Sequence, residues 1–175
     1  MKNKISDNCV QINAEDFFDE TGFYLSETLI HENQWVSVVQ PDYLGHMQFE
    51  WIVEAARYNK AEKLVLLVHM GGKDSKYKID SCEVEIEALA KIMASYLPYA
   101  IVVTDEKSSF IVFESDDNEY WIIAGSKDFM KIAYRASFHA AYVEFSGYWE
   151  HEKEIVQKKY ENIWNKYAVK PESED

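Results

Sequence analysis

The segment from Tyr99 to Gly125 constrains the fold more than any other part of the chain. Its three short apolar runs, YAIVVT, SFIVFES and EYWIIAG, are separated by two polar turns. Short apolar runs divided by polar turns are typical of consecutive strands in an antiparallel sheet. The middle run is apolar at every position from Phe110 to Phe113, which indicates a strand covered on both faces. The segment therefore predicts a three-stranded antiparallel meander.

The chain before the meander predicts further strands and one helix. Residues 22–30 and 34–40 each read as a strand, with residues 31–33 as the hairpin turn between them. Residues 46–59 predict a helix, because their apolar side chains recur at helical spacing. The continuous apolar run over residues 63–69 predicts a strand that is buried on both faces.

Residues 80–97 allow two interpretations. The alternation of acidic and apolar residues over 83–87 is typical of a strand, whereas the longer apolar stripe from Cys82 to Leu97 has helical spacing. Asp80 and Glu83 also have the spacing of a capping box. The longer pattern favours a helix. A strand, a helix and then the strand at Tyr99 would form a crossover unit with two parallel strands.

Two helices follow the meander. Ser126 is a candidate N-cap for the first, which places Val143 on its inner side, and Gly147 would break or bend it. The second covers residues 149–167 and includes Ile155 in its apolar set.

The sequence thus predicts an α+β fold, with one mixed, mainly antiparallel sheet of about five or six strands and a long C-terminal helical segment. Helices would pack on the sheet. Because no linker or internal repeat interrupts the pattern, we expect one globular domain over residues 1–170. Residues 171–175 are expected to form an acidic, frayed tail.

The charge of the chain limits the class of partner. Acidic residues outnumber basic ones by 31 to 18, for a formal charge of −13, and only Arg57 and Arg135 are arginines. Nucleic-acid binding depends on cations that displace counterions from phosphates, so no direct nucleic-acid partner is expected. Negative charge would instead accelerate the approach of a basic protein. Solubility alone is the competing explanation.

The first residues, the two cysteines and the longest apolar run indicate the cellular compartment in which the protein is expected. The first residues contain no apolar signal-peptide core, and the longest apolar run, residues 64–68, is far too short to span a bilayer. Cys9 and Cys82 are too few and too far apart for a disulfide framework or a zinc site. We therefore expect a soluble cytoplasmic protein without a membrane partner.

One loop suggests an enzymatic alternative. Residues 70–75, MGGKDS, resemble the SGGxDS loop of the ATP pyrophosphatase (PP-loop) family, with Gly71, Gly72, Asp74 and Ser75 at matching positions. The resemblance implies a small hydrolase or nucleotide-processing enzyme, and His69 and Asp74 would serve it. However, Met70 replaces the leading serine and no helix follows at once to direct its amides at a phosphate. These departures favour an ordinary connection between two elements.

Other catalytic and metal-binding signatures are missing from the sequence. The five histidines are scattered and none has metal-ligand spacing, and the sequence contains no nucleophile elbow, Walker A motif or dinucleotide-binding glycine pattern. Cys82 has no neighbouring base and is expected to be a structural thiol. We therefore expect no catalytic residue, no metal and no cofactor.

The second turn of the meander is the best candidate for a binding surface. It concentrates carboxylates that could meet a basic partner, although a solvated turn needs no function. Tyrosine and tryptophan are favoured at binding hot spots, and several lie near carboxylates in the sequence, although others of the set are expected in the core. The predicted partner-binding residues are Glu114, Asp116, Asp117, Glu119, Tyr120, Trp121, Tyr148 and Trp149.

In size, charge and overall pattern the chain resembles bacterial immunity proteins, in particular those of contact-dependent growth inhibition systems. In such systems a cytoplasmic protein neutralises a cationic nuclease toxin. The resemblance implies an inhibitor that binds one cognate basic toxin domain, with its carboxylates replacing nucleic-acid phosphates in the groove of the toxin. It identifies neither that toxin nor the oligomeric state of the chain.

Overall fold

A computed structural model describes residues 12–71 and 77–171 of the chain. These residues contain one open sheet of six strands in the order β1-β6-β5-β4-β2-β3, and every neighbouring pair is antiparallel. The strands are β1 (Val36–Pro41), β2 (Leu64–His69), β3 (Tyr77–Cys82), β4 (Ala100–Asp105), β5 (Phe110–Glu114) and β6 (Tyr120–Gly125).

Helices cover both faces of this sheet, which explains why β4, β5 and β6 are buried at every position. The helices are α1 (Glu27–Glu32), α2 (His46–Tyr58), α3 (Ile86–Ala94), α4 (Lys127–Ala133), α5 (Phe138–Tyr148) and α6 (Glu154–Tyr167), and a short 3₁₀ helix spans Ala14–Asp16.

The first face of the sheet packs against α2, α3 and α4. The ring of Phe129 in α4 stacks on Phe110 of β5, with 4.5 Å between their centroids. Gly125 of β6 makes room for this contact, because a Cβ atom there would lie 2.5 Å from the Phe129 ring. On the same face, the Tyr96 hydroxyl after α3 donates a 2.6 Å hydrogen bond to Asp80 of β3.

The second face packs against the N-terminal segment and α6. Ser37 of edge strand β1 donates a hydrogen bond to the Tyr167 carbonyl at the end of α6. The Tyr167 hydroxyl then donates a 2.9 Å bond to the carbonyl of Leu25. Both side chains are buried. These contacts fix α6 against β1 and the N-terminal segment against α6.

The predicted α+β fold class is confirmed, but the predicted parallel strand pair is wrong. β2 pairs with β4 in the antiparallel direction, with Leu66 opposite Val103. The chain first returns from β2 as the unpredicted strand β3, and α3 then carries it across to β4. The strand–helix–strand crossover therefore connects β3 and β4, which run in the same direction on either side of β2.

The structure corrects the prediction of a strand over residues 22–30. The Asp19 carboxylate accepts hydrogen bonds from the backbone N–H groups of Thr21 and Gly22, and this turn brings Leu25 opposite Phe18 as an isolated bridge. The remaining residues form α1, so the predicted hairpin with β1 does not exist. β1 itself is confirmed as a strand.

Helix boundaries differ from prediction in three places. Helix α3 begins at Ile86 after the N-cap Glu85, so the capping box proposed for Asp80 is wrong. Ser126 is confirmed as an N-cap, but the helix it starts ends at Ala133, and Ser137 caps a separate α5. Since Trp149 is the C-cap of α5, α6 begins five residues later than predicted.

The described residues share one hydrophobic core that extends over both faces of the sheet. Of the predicted acidic tail, residues 172–175 lie outside the described residues.

Candidate functional site

The eight predicted partner-binding residues divide into buried and accessible groups. Glu114, Tyr120 and Trp121 are only 4%, 1% and 3% exposed, so they are core residues and the surface role predicted for them needs correction. Strands β5 and β6 are covered on both faces, so a side chain is buried whichever face of the sheet it points toward. The accessible residues are Asp116, Asp117, Glu119, Tyr148 and Trp149.

Glu114 is the most perturbed carboxylic acid of the set. It ends β5 on the face covered by α2, where its Oε1 accepts a hydrogen bond from the backbone N–H of Leu44 at 3.4 Å. Burial raises the pKa of Glu114 to about 7, while this hydrogen bond lowers it. A carboxyl group in such a position is partly protonated near neutral pH and adds little to the acidic surface.

The three other acidic residues form the turn between β5 and β6. The Ser115 hydroxyl shapes this turn by accepting hydrogen bonds from the backbone N–H groups of Glu119 and Tyr120. Asn118 takes a positive φ of 54°, a conformation that asparagine tolerates better than most residues. The turn thus presents Asp116, Asp117 and Glu119 beside one another, and we call these residues the acidic turn.

Lys159 of α6 already neutralises part of the acidic turn. Its Nζ pairs with Glu119 and lies 3.9 Å from the Asp117 carboxylate. Although burial opposes the change, hydrogen bonds with Ser115 and Glu119 and the charge of Lys159 hold the pKa of Asp117 below its ordinary value. Burial and the Asp117 charge raise the pKa of Asp116. Intramolecular pairing therefore weakens the negative field that the sequence predicts here.

Tyr148 and Trp149 lie at a groove between α5 and α6, beyond edge strand β1. The groove has a volume of about 500 Å³. Trp149 stacks on Tyr160 with 3.5 Å between centroids, and Trp164 lies between Tyr142 and Phe145. We call this cavity the aromatic groove, and its lining is Tyr142, Val143, Phe145, Ser146, Gly147, Trp149, Glu150, Gln157, Tyr160, Glu161, Trp164 and Asn165.

The groove is bordered by exposed apolar side chains that the sequence patterns misplaced. Val143, which lines the groove, is 54% exposed, and Ile155, which is not in the lining, is 78% exposed. Helical spacing assigned both to the apolar side of their helices. Tyr142 and Tyr148 are about half exposed as well. The break between α4 and α5 changes the rotation of α5 and turns Val143 outward. Carboxylates nearby, including Glu150 and Glu161 in the lining, give this border an acidic character.

Contacts of α6 place the acidic turn close to the aromatic groove. Tyr160 contributes to the groove by stacking on Trp149, and its neighbour Lys159 pairs with Glu119 of the turn. The two features therefore adjoin at the middle of α6. Their adjacency could not be predicted from sequence, because about thirty residues separate them along the chain.

The enzymatic alternative gains little from the described residues. His69 is 2% exposed, inside a box of Phe18, Phe23 and Tyr77, and neither ring nitrogen has a hydrogen-bond partner among the described residues. Burial lowers the pKa of His69 despite the charges of Asp116 and Asp19. The segment 72–76 of the predicted loop, including Asp74 and Ser75, lies outside the described residues.

Reactive and metal-binding groups are sparse in the described ranges. Residues 12–71 and 77–171 contain no group of three His, Cys, Asp or Glu side chains that could hold a metal ion. Burial raises the pKa of the Cys82 thiol to about 11, so it is a poor nucleophile at neutral pH. Among the helices of these residues, none has the length and apolar character required to cross a bilayer.

Comparisons with protein-family models, curated proteins and solved structures gave no match.

Proposed function

We propose that this chain is a cytoplasmic immunity protein, which binds a cognate basic toxin domain through the aromatic groove and the acidic turn. The observation that carries the proposal is the unusual exposure of apolar side chains around a groove with acidic neighbours. Contiguous exposed apolar surface bordered by polar residues is typical of protein-binding sites. Charge then favours a basic occupant, since the chain has a formal charge of −13.

The groove would supply most of the affinity. Binding energy at protein interfaces is concentrated in a few aromatic and apolar anchors within desolvated pockets. Tyr142 and Val143 can lose their exposed surface when a partner covers them, and the stacked pair Trp149–Tyr160 provides a flat wall. An apolar side chain flanked by lysine or arginine on the partner would fit both the groove and its acidic border.

The acidic turn would mainly increase the rate of association with the partner and orient the partner as it binds. Asp117 is exposed, and Asp116 and Glu119 are partly exposed. A lysine or arginine of the partner would compete with Lys159 for Glu119, because the ion pair lies at the surface and is weak in water. Glu114, Tyr120 and Trp121 would contribute indirectly by keeping β5, β6 and the turn in place.

The proposal is tested with the partner isolated from the native host. The purified chain is cross-linked to the protein that it binds, and the captured protein is then identified. Calorimetry measures the affinity between the two purified proteins. We expect a basic partner whose toxic activity, nuclease activity for instance, falls when the chain is added in equimolar amounts.

Two matched variants locate the binding surface. Tyr142→Ser combined with Val143→Ser alters the groove at two exposed lining positions, and it is expected to weaken binding by about 30-fold or more, as loss of hot-spot contacts does. Ile79→Ser is the control, because Ile79 is 52% exposed on β3, at the opposite edge of the sheet. Equal affinity of the groove variant and the control would remove the groove from the interface. A stoichiometric partner that is acidic or has no inhibitable activity would refute the immunity function.

A further inference from the structure

A second cavity, with a different chemical character, lies on the first face of the sheet between α4 and the start of α5. It has a volume of about 470 Å³, within the range of small-molecule sites. Val36 and Val38 of β1 and Met130 of α4 give it an apolar floor. We call it the basic cavity, for the cations that border it.

Three of the 18 basic side chains of the protein line this cavity. Lys127 and Lys131 are four residues apart and project from the same side of α4, and Arg135 follows the end of that helix. Lys131 pairs with Asp128 at 2.9 Å, and Arg135 pairs with Glu54. Neither carboxylate belongs to the lining, so the wall of the cavity itself is cationic in a strongly acidic protein.

Tyr134 adds a buried aromatic ring to the same cavity. Its side chain lines the cavity and is 8% exposed, and its buried hydroxyl has no hydrogen-bond partner among the described residues. Burial and the charge of Glu144 raise the pKa of Tyr134, so the hydroxyl remains protonated at neutral pH. Because this oxygen is closed to solvent, the ring of Tyr134 and not its hydroxyl would contact a ligand in the cavity.

The beginning of α5 contributes a further positive field. Ala136 and Ser137 line the cavity, and Ser137 caps this eleven-residue helix by accepting a 3.1 Å hydrogen bond from the Ala140 N–H. The N-terminus of a helix carries a partial positive charge and is favourable for anions. The helix end thus agrees in sign with the lysines and the arginine.

We propose that the basic cavity binds a small organic anion. A carboxylate or phosphate group would lie between Lys131 and Arg135, in competition with their exposed ion pairs to Asp128 and Glu54, which are weak in water. An apolar body would pack on Val36 and Met130. This site is separate from the aromatic groove and goes beyond the immunity function. Failure of either proposal leaves the other intact.

Calorimetric titration at low ionic strength provides the test. The probes are phenyl phosphate and benzoate, which carry the two anionic groups on one apolar ring, with inorganic phosphate and neutral benzyl alcohol for comparison. We expect saturable binding of at least one aromatic anion, weaker binding of inorganic phosphate and none of benzyl alcohol. Preference between phenyl phosphate and benzoate identifies the anionic group.

Variants assign the binding to this cavity. Lys131→Gln and Arg135→Gln each remove an exposed charge from the cavity, and each is expected to weaken binding of the anion about tenfold, as the loss of one charge-assisted hydrogen bond does. Lys91→Gln, on the exposed side of α3, is the control. Unchanged affinity in both cavity variants, equal binding of benzyl alcohol, or no binding of either aromatic anion at millimolar concentration would overturn the proposal.

Discussion

The backbone N–H of Leu44 donates a hydrogen bond to the Oε1 atom of Glu114, with 3.4 Å between the two atoms. The loop before α2 thus covers the last residue of β5 and removes its carboxyl group from water. Glu114 appeared in the sequence as one of four carboxylates of a turn, yet its chemistry is that of a buried acid.

We predict that Glu114→Gln stabilises the protein at pH 8. Burial raises the folded-state pKa from 4.5 to about 7, so the unfolded chain loses this proton first as the pH rises. Ionised Glu114 therefore costs stability progressively above about pH 4.5, on the order of 3 kcal/mol once the pH exceeds 7. Glutamine keeps an acceptor for Leu44 without this cost.

Urea denaturation between pH 4.5 and 8 measures this effect, with Glu87→Gln on the exposed side of α3 as the control. A Glu114→Gln curve parallel to that of the wild type over this range would show that the buried carboxyl is not the titrating group.

His69 is predicted to have the opposite influence on the pH dependence of stability. Burial lowers its folded-state pKa below 6.5, so the unfolded chain takes up the proton first as the pH falls. His69 therefore costs stability below about pH 6.5, where Glu114 becomes less costly. Between pH 7 and 5, the effects of Glu114 and His69 on the free energy of unfolding therefore have opposite signs and partly cancel.

Replacing either residue should expose the influence of the other. We expect Glu114→Gln to lose stability on acidification from pH 7 to 5, and His69→Leu to gain stability over the same range. Thermal unfolding at a series of pH values gives both slopes, with His151→Leu as an exposed control. Two slopes of the same sign would contradict this assignment.

Ser37→Ala should destabilise the fold by about 1–3 kcal/mol. The buried Ser37 hydroxyl donates to the Tyr167 carbonyl and accepts a 3.1 Å hydrogen bond from the Val169 N–H. Alanine leaves the Tyr167 carbonyl without this donor, whereas the Val169 N–H keeps its 3.0 Å bond to the Ser37 backbone carbonyl. Ser95→Ala removes only an exposed bond to the Lys91 carbonyl and serves as the control. Amide hydrogen exchange in α6 should be faster in Ser37→Ala than in the wild type. Equal free energies of unfolding for Ser37→Ala and Ser95→Ala would contradict the prediction.

Lys159→Gln is expected to raise the pKa of Asp117, because it removes the nearest positive charge. The change in unfolding free energy should stay below about 1 kcal/mol, as is usual for ion pairs at the surface. Carboxyl-carbon NMR titration measures the pKa directly, and Lys166→Gln, near the end of the same helix, is the control. An unaltered Asp117 pKa would mean that hydrogen bonds alone hold it down.

Local sequence patterns determined a large part of this fold. The meander β4–β5–β6, strands β1 and β2, helix α2 and the Ser126 cap follow from short-range patterns, because apolar period, turn residues and caps act within a few positions. The α+β class followed from the same elements. Composition likewise determined the formal net charge of −13.

Tertiary structure alone decided which polar and aromatic residues reach the surface. Strand alternation cannot indicate burial when helices cover both faces of a sheet, so Glu114, Tyr120 and Trp121 could not be distinguished from their neighbours. The pairing of Lys159 with Glu119 and the packing of α4 beside Val36 and Val38 of β1 in the basic cavity join residues from separate elements. Such contacts depend on how helices pack on the sheet, and no local pattern records that packing.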